Sequence, residues 1–181
     1  MDRQPVLDGE RLYLRPLTQA DRDALYAVAS HKLLWEKHPS HDRWQEPVFR
    51  AFFEDALDKG GALAIVDKAS GAVIGSSRFQ LCDRTEEEGA LEIGWSFLAR
   101  PYWGLGYNAE FKRLMLAHAF RYVDRVVFRV GADNVISCRA MANIGGRLTG
   151  TTYFEERAGR PVEHVVFEIT REGFAEGPLA G

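Results

Sequence analysis

Cysteine is nearly absent from this chain of 181 residues: Cys82 and Cys138 are the whole supply, and they lie far apart. Two thiols at that separation make neither a disulfide framework nor a zinc knuckle, so a reducing cytoplasm is the expected setting. Long apolar runs are also missing. No stretch approaches the roughly 20 residues that cross a bilayer, and Met1-Asp-Arg-Gln-Pro5 lacks the apolar h-region of a secretory signal. No membrane partner is expected. Nor is there a basic block: 23 Lys and Arg against 26 Asp and Glu give a net charge of −3, which argues against nucleic acid. Repeats, linkers and low-complexity segments are lacking as well, and the length suits one domain over residues 1–181.

Two further absences narrow the chemistry. His38-x-x-His41 has metal-ligand spacing but no third ligand at a matching interval, so no metal is expected. The phosphate-binding Walker pattern fails too, because no Lys-Ser/Thr follows the glycines near mid-chain.

What is present centres on Arg100-Pro-Tyr-Trp-Gly104-Leu-Gly106-Tyr-Asn108-Ala109-Glu110. Upstream, Leu91-Glu-Ile-Gly-Trp-Ser-Phe-Leu98 alternates like a strand. Downstream, Tyr107, Phe111, Leu114, Met115, His118 and Tyr122 recur at helical spacing. A strand, a glycine turn and a helix start aim several free N–H groups at one place, which favours an anion and most often a phosphate. A second strand–helix unit follows, Val126–Val130 and then Asn134–Gly146, so a ligand is expected between the two openings.

The remaining elements frame this pair. Glu10–Pro16 reads as a strand, and Thr18–Asp21 as a capping box opening a helix to Ser30. After an irregular stretch, Pro47 starts a helix carrying Val48, Phe52, Ala56 and Leu57 on one side and ending at Gly60-Gly61. Ala62–Asp67 and Ala72–Phe79 form a hairpin; Asp83–Gly89 is expected to be a solvated loop. Strands around Arg147–Glu155 and Val162–Thr170 close the chain. The order β-α-α-β-β-β-α-β-α-β-β is α+β, with about seven strands and about four helices. A dinucleotide fold competes through Gly104-x-Gly106-x-x-Ala109 and Asp133. Against it stand the mid-chain position, the Arg100-Pro101 interruption and the short remaining chain.

Taken together, Arg11-Leu-Tyr-Leu-Arg-Pro-Leu17, Glu92-Ile-Gly-Trp95, Tyr102–Glu110, Asn134-x-x-Ser137 and Ile144-Gly145-Gly146 resemble the GNAT superfamily of acetyl-CoA-dependent N-acetyltransferases. The closest likeness is to its RimJ/RimL branch, which includes ribosomal-protein N-terminal acetyltransferases. The resemblance implies a mixed, mostly antiparallel sheet with a central splay, acetyl-CoA as co-substrate and no metal. It places the CoA pyrophosphate on Trp103, Gly104, Leu105, Gly106, Tyr107 and Asn108, and the pantetheine arm and sulfur near Phe97, Leu98, Asn134 and Ser137. Trp103 stands where the family usually carries Gln or Arg, and Asn108 where it carries a small residue. Met141 occupies the position of a tyrosine general acid.

Acetyl transfer to an amine needs a proton acceptor, and Glu92 resembles the family's base position. A backbone N–H near Trp95–Phe97 is expected to receive the oxyanion, and Ser137 resembles the serine offered to the CoA sulfur. On the acceptor side, Trp35 and His38 with Glu156 suggest aromatic walls and a carboxylate for a cationic amine. The expected partners are acetyl-CoA, an amine acceptor and at most a second copy of the chain. A non-catalytic acyl-CoA-binding sensor or interaction module is the alternative.

Overall fold

The computed structural model describes residues 1–82 and 88–180. Its elements are β1 (Leu7–Asp8), β2 (Leu12–Pro16), α1 (Arg22–Ala29), α2 (Glu46–Lys59), β3 (Ala62–Asp67), β4 (Val73–Leu81), β5 (Leu91–Leu98), α3 (Tyr107–Ala119), β6 (Arg125–Gly131), α4 (Val135–Asn143), β7 (Arg147–Arg157), β8 (Arg160–Thr170) and α5 (Arg171–Ala175). The eight strands form one sheet in the order β1-β2-β3-β4-β5-β6-β8-β7. Neighbours are antiparallel except for the parallel pair β5–β6. This is the expected α+β, mostly antiparallel architecture. The two-residue β1 and five-residue α5 are additions too short to show a period in the sequence. Of the acidic run Asp83–Gly89, residues 83–87 lie outside the described residues.

Strand alternation divides the apolar residues between the two faces of the sheet. Leu63 and Ile65 of β3, Phe79 of β4, Ile93 of β5 and Phe128 of β6 pack beneath α3 with Phe111, Met115 and Leu116. Ala62, Ala64 and Phe97 face the other way, against Leu25 of α1 and Phe49 and Phe53 of α2. The buried stripe of α2 is Phe49, Phe53 and Ala56. That is one residue round from the expected Val48–Phe52 face, and Phe52 and Leu57 flank it. With aromatics at 49, 52 and 53, periodicity alone could not choose between adjacent stripes.

Chain closure in the final hairpin is tight. Ala158 and Gly159 adopt φ of 50° and 74° between the paired Arg157 and Arg160, a two-residue turn matched to the twist of the strands.

One contact fixes where α3 begins. Glu110, in its first turn, accepts from the backbone N of Arg11 (2.8 Å) and from Arg11 Nε (2.9 Å). Arg11 Nη1 in turn donates to the carbonyl of Leu105 at 2.6 Å. The helix start and its preceding loop are thus tied to Arg11, the residue just ahead of β2. Burial works to raise the Glu110 carboxyl, but the hydrogen bonds from Arg11 and Leu12 outweigh it and hold the group below the usual range.

Glu110→Gln should therefore destabilise the protein by about 1–3 kcal/mol at neutral pH. Because the folded carboxyl is depressed, its contribution is complete above about pH 4 and vanishes as pH falls through the folded value. Denaturant midpoints of the variant and the parent should converge in acid; a gap that persists unchanged would remove the charge from the explanation.

Candidate active site

β5 and β6 pair only at Leu91–Val126 and Glu92–Val127, although β5 runs on to Leu98 and β6 to Gly131. The divergence has a local cause. Ser76 faces Phe97 and Arg78 faces Gly94, so the single residue Ser77 stands opposite both Trp95 and Ser96. This bulge bends β5, and Trp95 takes φ of 53°, a strained value for a bulky side chain. The Arg78 guanidinium, 4.3 Å from the Trp95 ring, steadies it. A cavity of about 530 Å³ occupies the gap, within the size range of small-molecule sites.

At one end of the gap lies the glycine turn. A 3-10 turn at Arg100–Tyr102 leads into Gly104 and Gly106, with φ of 73° and 83°. Gly106 is the N-cap of α3, and no side chain caps that end, so its N–H groups are left for a ligand. A Cβ on Gly106 would come within 3.0 Å of Arg11 Nη2. Trp103 turns its Nε1 back to the Leu98 carbonyl at 2.8 Å, pinning the loop to the end of β5. Tyr107 bonds Asp67 at 3.0 Å. Of the residues Trp103–Asn108, Asn108 lines the cavity; the other five do not. The side chains of Phe97 and Leu98 enter the two cores, so these residues can offer a ligand their backbone only.

The other wall comes from α4. The Asn134 side chain accepts from the Ser137 N–H at 3.2 Å and caps the helix. Ser137 lines the cavity, and its hydroxyl has no hydrogen-bond partner among the described residues. Met141, buried, lines the same wall. Glu92 reaches the cavity over Gly94, whose missing side chain leaves room: a Cβ there would lie 3.1 Å from Glu92 Oε1. Its Oε2 is bonded to Arg129, so Glu92 is a buried, paired carboxylate.

A second close approach roofs the gap. Gly131 lets Pro39 lie where a Cβ would be 2.5 Å away, bringing His38 and Ser40 to the cavity wall. His38 accepts from the Ser40 N–H at 3.0 Å. Burial, with the charge of Arg43 adding to it, pushes His38 down to about 3, so it is neutral at physiological pH. His41 is exposed, facing a different hollow.

Two acceptor-side expectations need correction. Trp35 is 1% exposed, donates its indole N–H to the Ala29 carbonyl at 2.7 Å and lies in the second core. It supports the pocket from behind. Glu156 is exposed and points away, because alternation along β7 sends Tyr153, Glu155 and Arg157 inward instead. The sequence reading also missed the cations of this cavity: Arg43, Arg78, Arg129 and Lys112 all line it. A signal existed for Lys112, which sits three and four residues before the buried Met115 and Leu116 and so falls on the buried stripe. Arg78 likewise is the one charged residue of β4, Val73–Leu81.

With this geometry in place, the comparisons decide the family. The family model of the acetyltransferase (GNAT) domain matches residues 11–147. The chain belongs to the GNAT acetyltransferases. The fold is shared with a GCN5-related N-acetyltransferase from Brucella melitensis, at TM-score 0.80 and 22% identity over 98% of this chain and 82% of that one. It is shared with Mycobacterium smegmatis RimJ in complex with CoA-disulfide, at 0.73 and 19% over 97% and 91%. Ribosomal-protein-S5-alanine acetyltransferase from Vibrio fischeri also matches, at 0.66 and 16% over 93% and 98%. At these identities the likeness is one of fold, and it agrees with the RimJ/RimL-like features of the sequence. The acceptor of this GNAT acetyltransferase is not identified by it.

Lys112 gives the site a measurable signature. It is 4% exposed, donates to Ser96 Oγ at 2.7 Å, and burial pushes its ammonium down to about 7. A depressed lysine costs stability below its folded value, and the cost fades as pH climbs from there toward the unfolded value near 10.4. Lys112→Met should raise the denaturation midpoint, with the gain larger at pH 6 than at pH 10. An equal gain at both would mean that no buried charge is being relieved.

Proposed function

We propose that this chain, working as one domain of residues 1–181, is an acetyl-CoA-dependent N-acetyltransferase that acts on a primary amine by direct attack on the thioester. The observation that carries this reading is the single cavity running through the β5–β6 gap from Asn108 at the start of α3 to Ser137 on α4. Both ends of such a cavity are needed: an anion site for the cofactor's phosphates and a polar site for the reacting carbonyl.

In this reading the N–H groups around Gly104–Asn108 hold the pyrophosphate, with Trp103, Leu105 and Tyr107 fixing the loop. The pantetheine arm follows the backbone of Phe97 and Leu98 into the gap. Glu92, held by Arg129, takes the proton that the attacking ammonium must lose, directly or through a water. As the amine nitrogen bonds to the thioester carbon, a backbone N–H of the Trp95–Phe97 bulge donates to the developing oxyanion. When the carbon–sulfur bond breaks, the Ser137 hydroxyl donates to the departing sulfur. Asn134 keeps the first turn of α4 in place for that task. Met141 cannot supply a proton, which leaves Ser137 as the donor on that wall. His38, on the opposite wall, contacts the acceptor.

Calorimetry and thiol release test this together. Gly106→Val should weaken acetyl-CoA binding by about 10-fold or more while the protein stays folded, since it forces a β-branched residue to positive φ at the helix start. Glu92→Gln should lower kcat by roughly 100-fold with cofactor affinity little altered. Unchanged affinity in folded Gly106→Val sinks the cofactor assignment. Tight acetyl-CoA binding with no thiol release across an amine panel would favour the sensor reading instead.

A further inference from the structure

The acceptor side of the cavity is short of negative charge. Arg78 pairs with Asp55 at 2.9 Å, Arg157 with Glu155 at 2.7 Å, and Arg129 with Glu92. Arg43 has no carboxylate partner among the described residues, yet it is only 9% exposed. Its Nη2 reaches Ser40 Oγ at 3.2 Å, and its guanidinium stacks 4.4 Å from the Phe52 ring and 5.0 Å from Trp35. Burial pushes Arg43 down to about 9, and the charges of Arg157 and Arg78 push the same way. Arg78, buried beside the same cavity, has two side-chain nitrogens, Nε and Nη2, with no hydrogen-bond partner among the described residues. A buried cation without a counter-charge is costly, and so is each orphaned donor. Both residues line one cavity, and an anion held there would supply the counter-charge that Arg43 lacks.

We propose that the acceptor is an amine that also carries a carboxylate, and that Arg43, together with Arg78, binds that carboxylate while the amine is presented to Glu92 at the strand gap. The role of the amine rests on the acetyl-transfer reading; the anion site does not. The phosphates of the cofactor are a poor alternative occupant. Their expected place is the start of α3, on one face of the sheet, whereas Arg43 lies with Trp35 and Phe52 on the face covered by α1 and α2. A carboxylate also matches the local deficit: among the described residues, Arg43 is the arginine of this cavity that has no carboxylate partner, and one carboxylate supplies its counter-charge. The guanidinium fork suits two carboxylate oxygens. This reverses the expectation of a cation-binding pocket, whose chosen carboxylate, Glu156, faces away.

The test uses the full chain and matched amines: glycine, β-alanine and glutamate against their amides, with spermidine and phosphoethanolamine as further arms. Equilibrium calorimetry without acetyl-CoA reads the anion site even if no acetyl transfer occurs, and thiol release with acetyl-CoA reads the acceptor. At least one acid should bind about 10-fold or more tightly than its amide, and where transfer occurs it should show a similar preference in kcat/KM. Arg43→Met should erase that preference while leaving acetyl-CoA affinity unchanged. Equal or better binding of amides or spermidine by the wild type overturns the proposal, as does absence of binding by every acid. Preference for phosphoethanolamine over all the acids overturns the carboxylate assignment. A folded Arg43→Met that keeps the preference overturns the role of Arg43. If that variant does not fold, the wild-type acid-against-amide comparison still decides.

Discussion

The parallel ladder between β5 and β6 stops after two residue pairs, and the rest of the site depends on that stop. A sheet is ordinarily impermeable, because each strand satisfies its neighbour's N–H and C=O groups. Here the bulge at Trp95–Ser96 bends β5 away, and the two halves of the sheet are joined at this seam by Leu91–Val126 and Glu92–Val127. The gap lets side chains from opposite faces share one space. Lys112 comes from α3 on one face and Arg43 from the segment ahead of α2 on the other, and both line the same cavity. No continuous ladder could bring them together.

Charge is then handled differently at the start of α3 and around the gap. Glu110 is buried but fully engaged by Arg11 and Leu12, so its charge locks the glycine turn to β2. Arg43 and Lys112 are buried without a carboxylate partner among the described residues, and each is pushed toward neutrality by the loss of water. An engaged buried charge fixes geometry; an unengaged one stores a cost that a ligand can relieve. The distinction separates the brace from the reacting surface. The loop departures fit the same division. Trp103 gives its donor to the Leu98 carbonyl, and no side chain caps the start of α3, so the groups presented there are backbone N–H groups whose direction is set by the fold.

Much of this was legible in the sequence because it rests on local rules. Alternation in Leu91–Leu98, glycines at 104 and 106 and helical spacing from Tyr107 locate the central unit, and both glycines do take positive φ. The Asn134–Ser137 spacing likewise matches a real N-cap. What failed needed tertiary information. Trp35 and Glu156 qualify by chemical type and lie in segments expected to border the opening. Which way each points depends on the core behind Trp35 and on the register of β7 against β8, in which Glu155 pairs with Val162 and Glu156 with Pro161. A one-residue difference in a strand exchanges the faces. Arg78 and Arg129 are illegible for a related reason: a lone Arg in a strand reads as a solvated edge unless both faces are known to be covered.

Cavity size alone would not have singled out this gap. A second hollow of about 540 Å³, bordered by Lys32, Leu33, Glu36, His41 and Arg160, is as large. All five of those residues are exposed, so water already satisfies them and the surface carries no stored cost. Around the β5–β6 gap, three costs coincide: a bulky residue at positive φ in Trp95, a buried amine in Lys112 and, in Arg43, a buried guanidinium without a counter-charge among the described residues. Each is unfavourable for folding alone, and the well-packed cores on both faces offset them. Strain and desolvated charge persist where something other than stability is gained. Their convergence on one opening sets this gap apart from a hollow of equal volume.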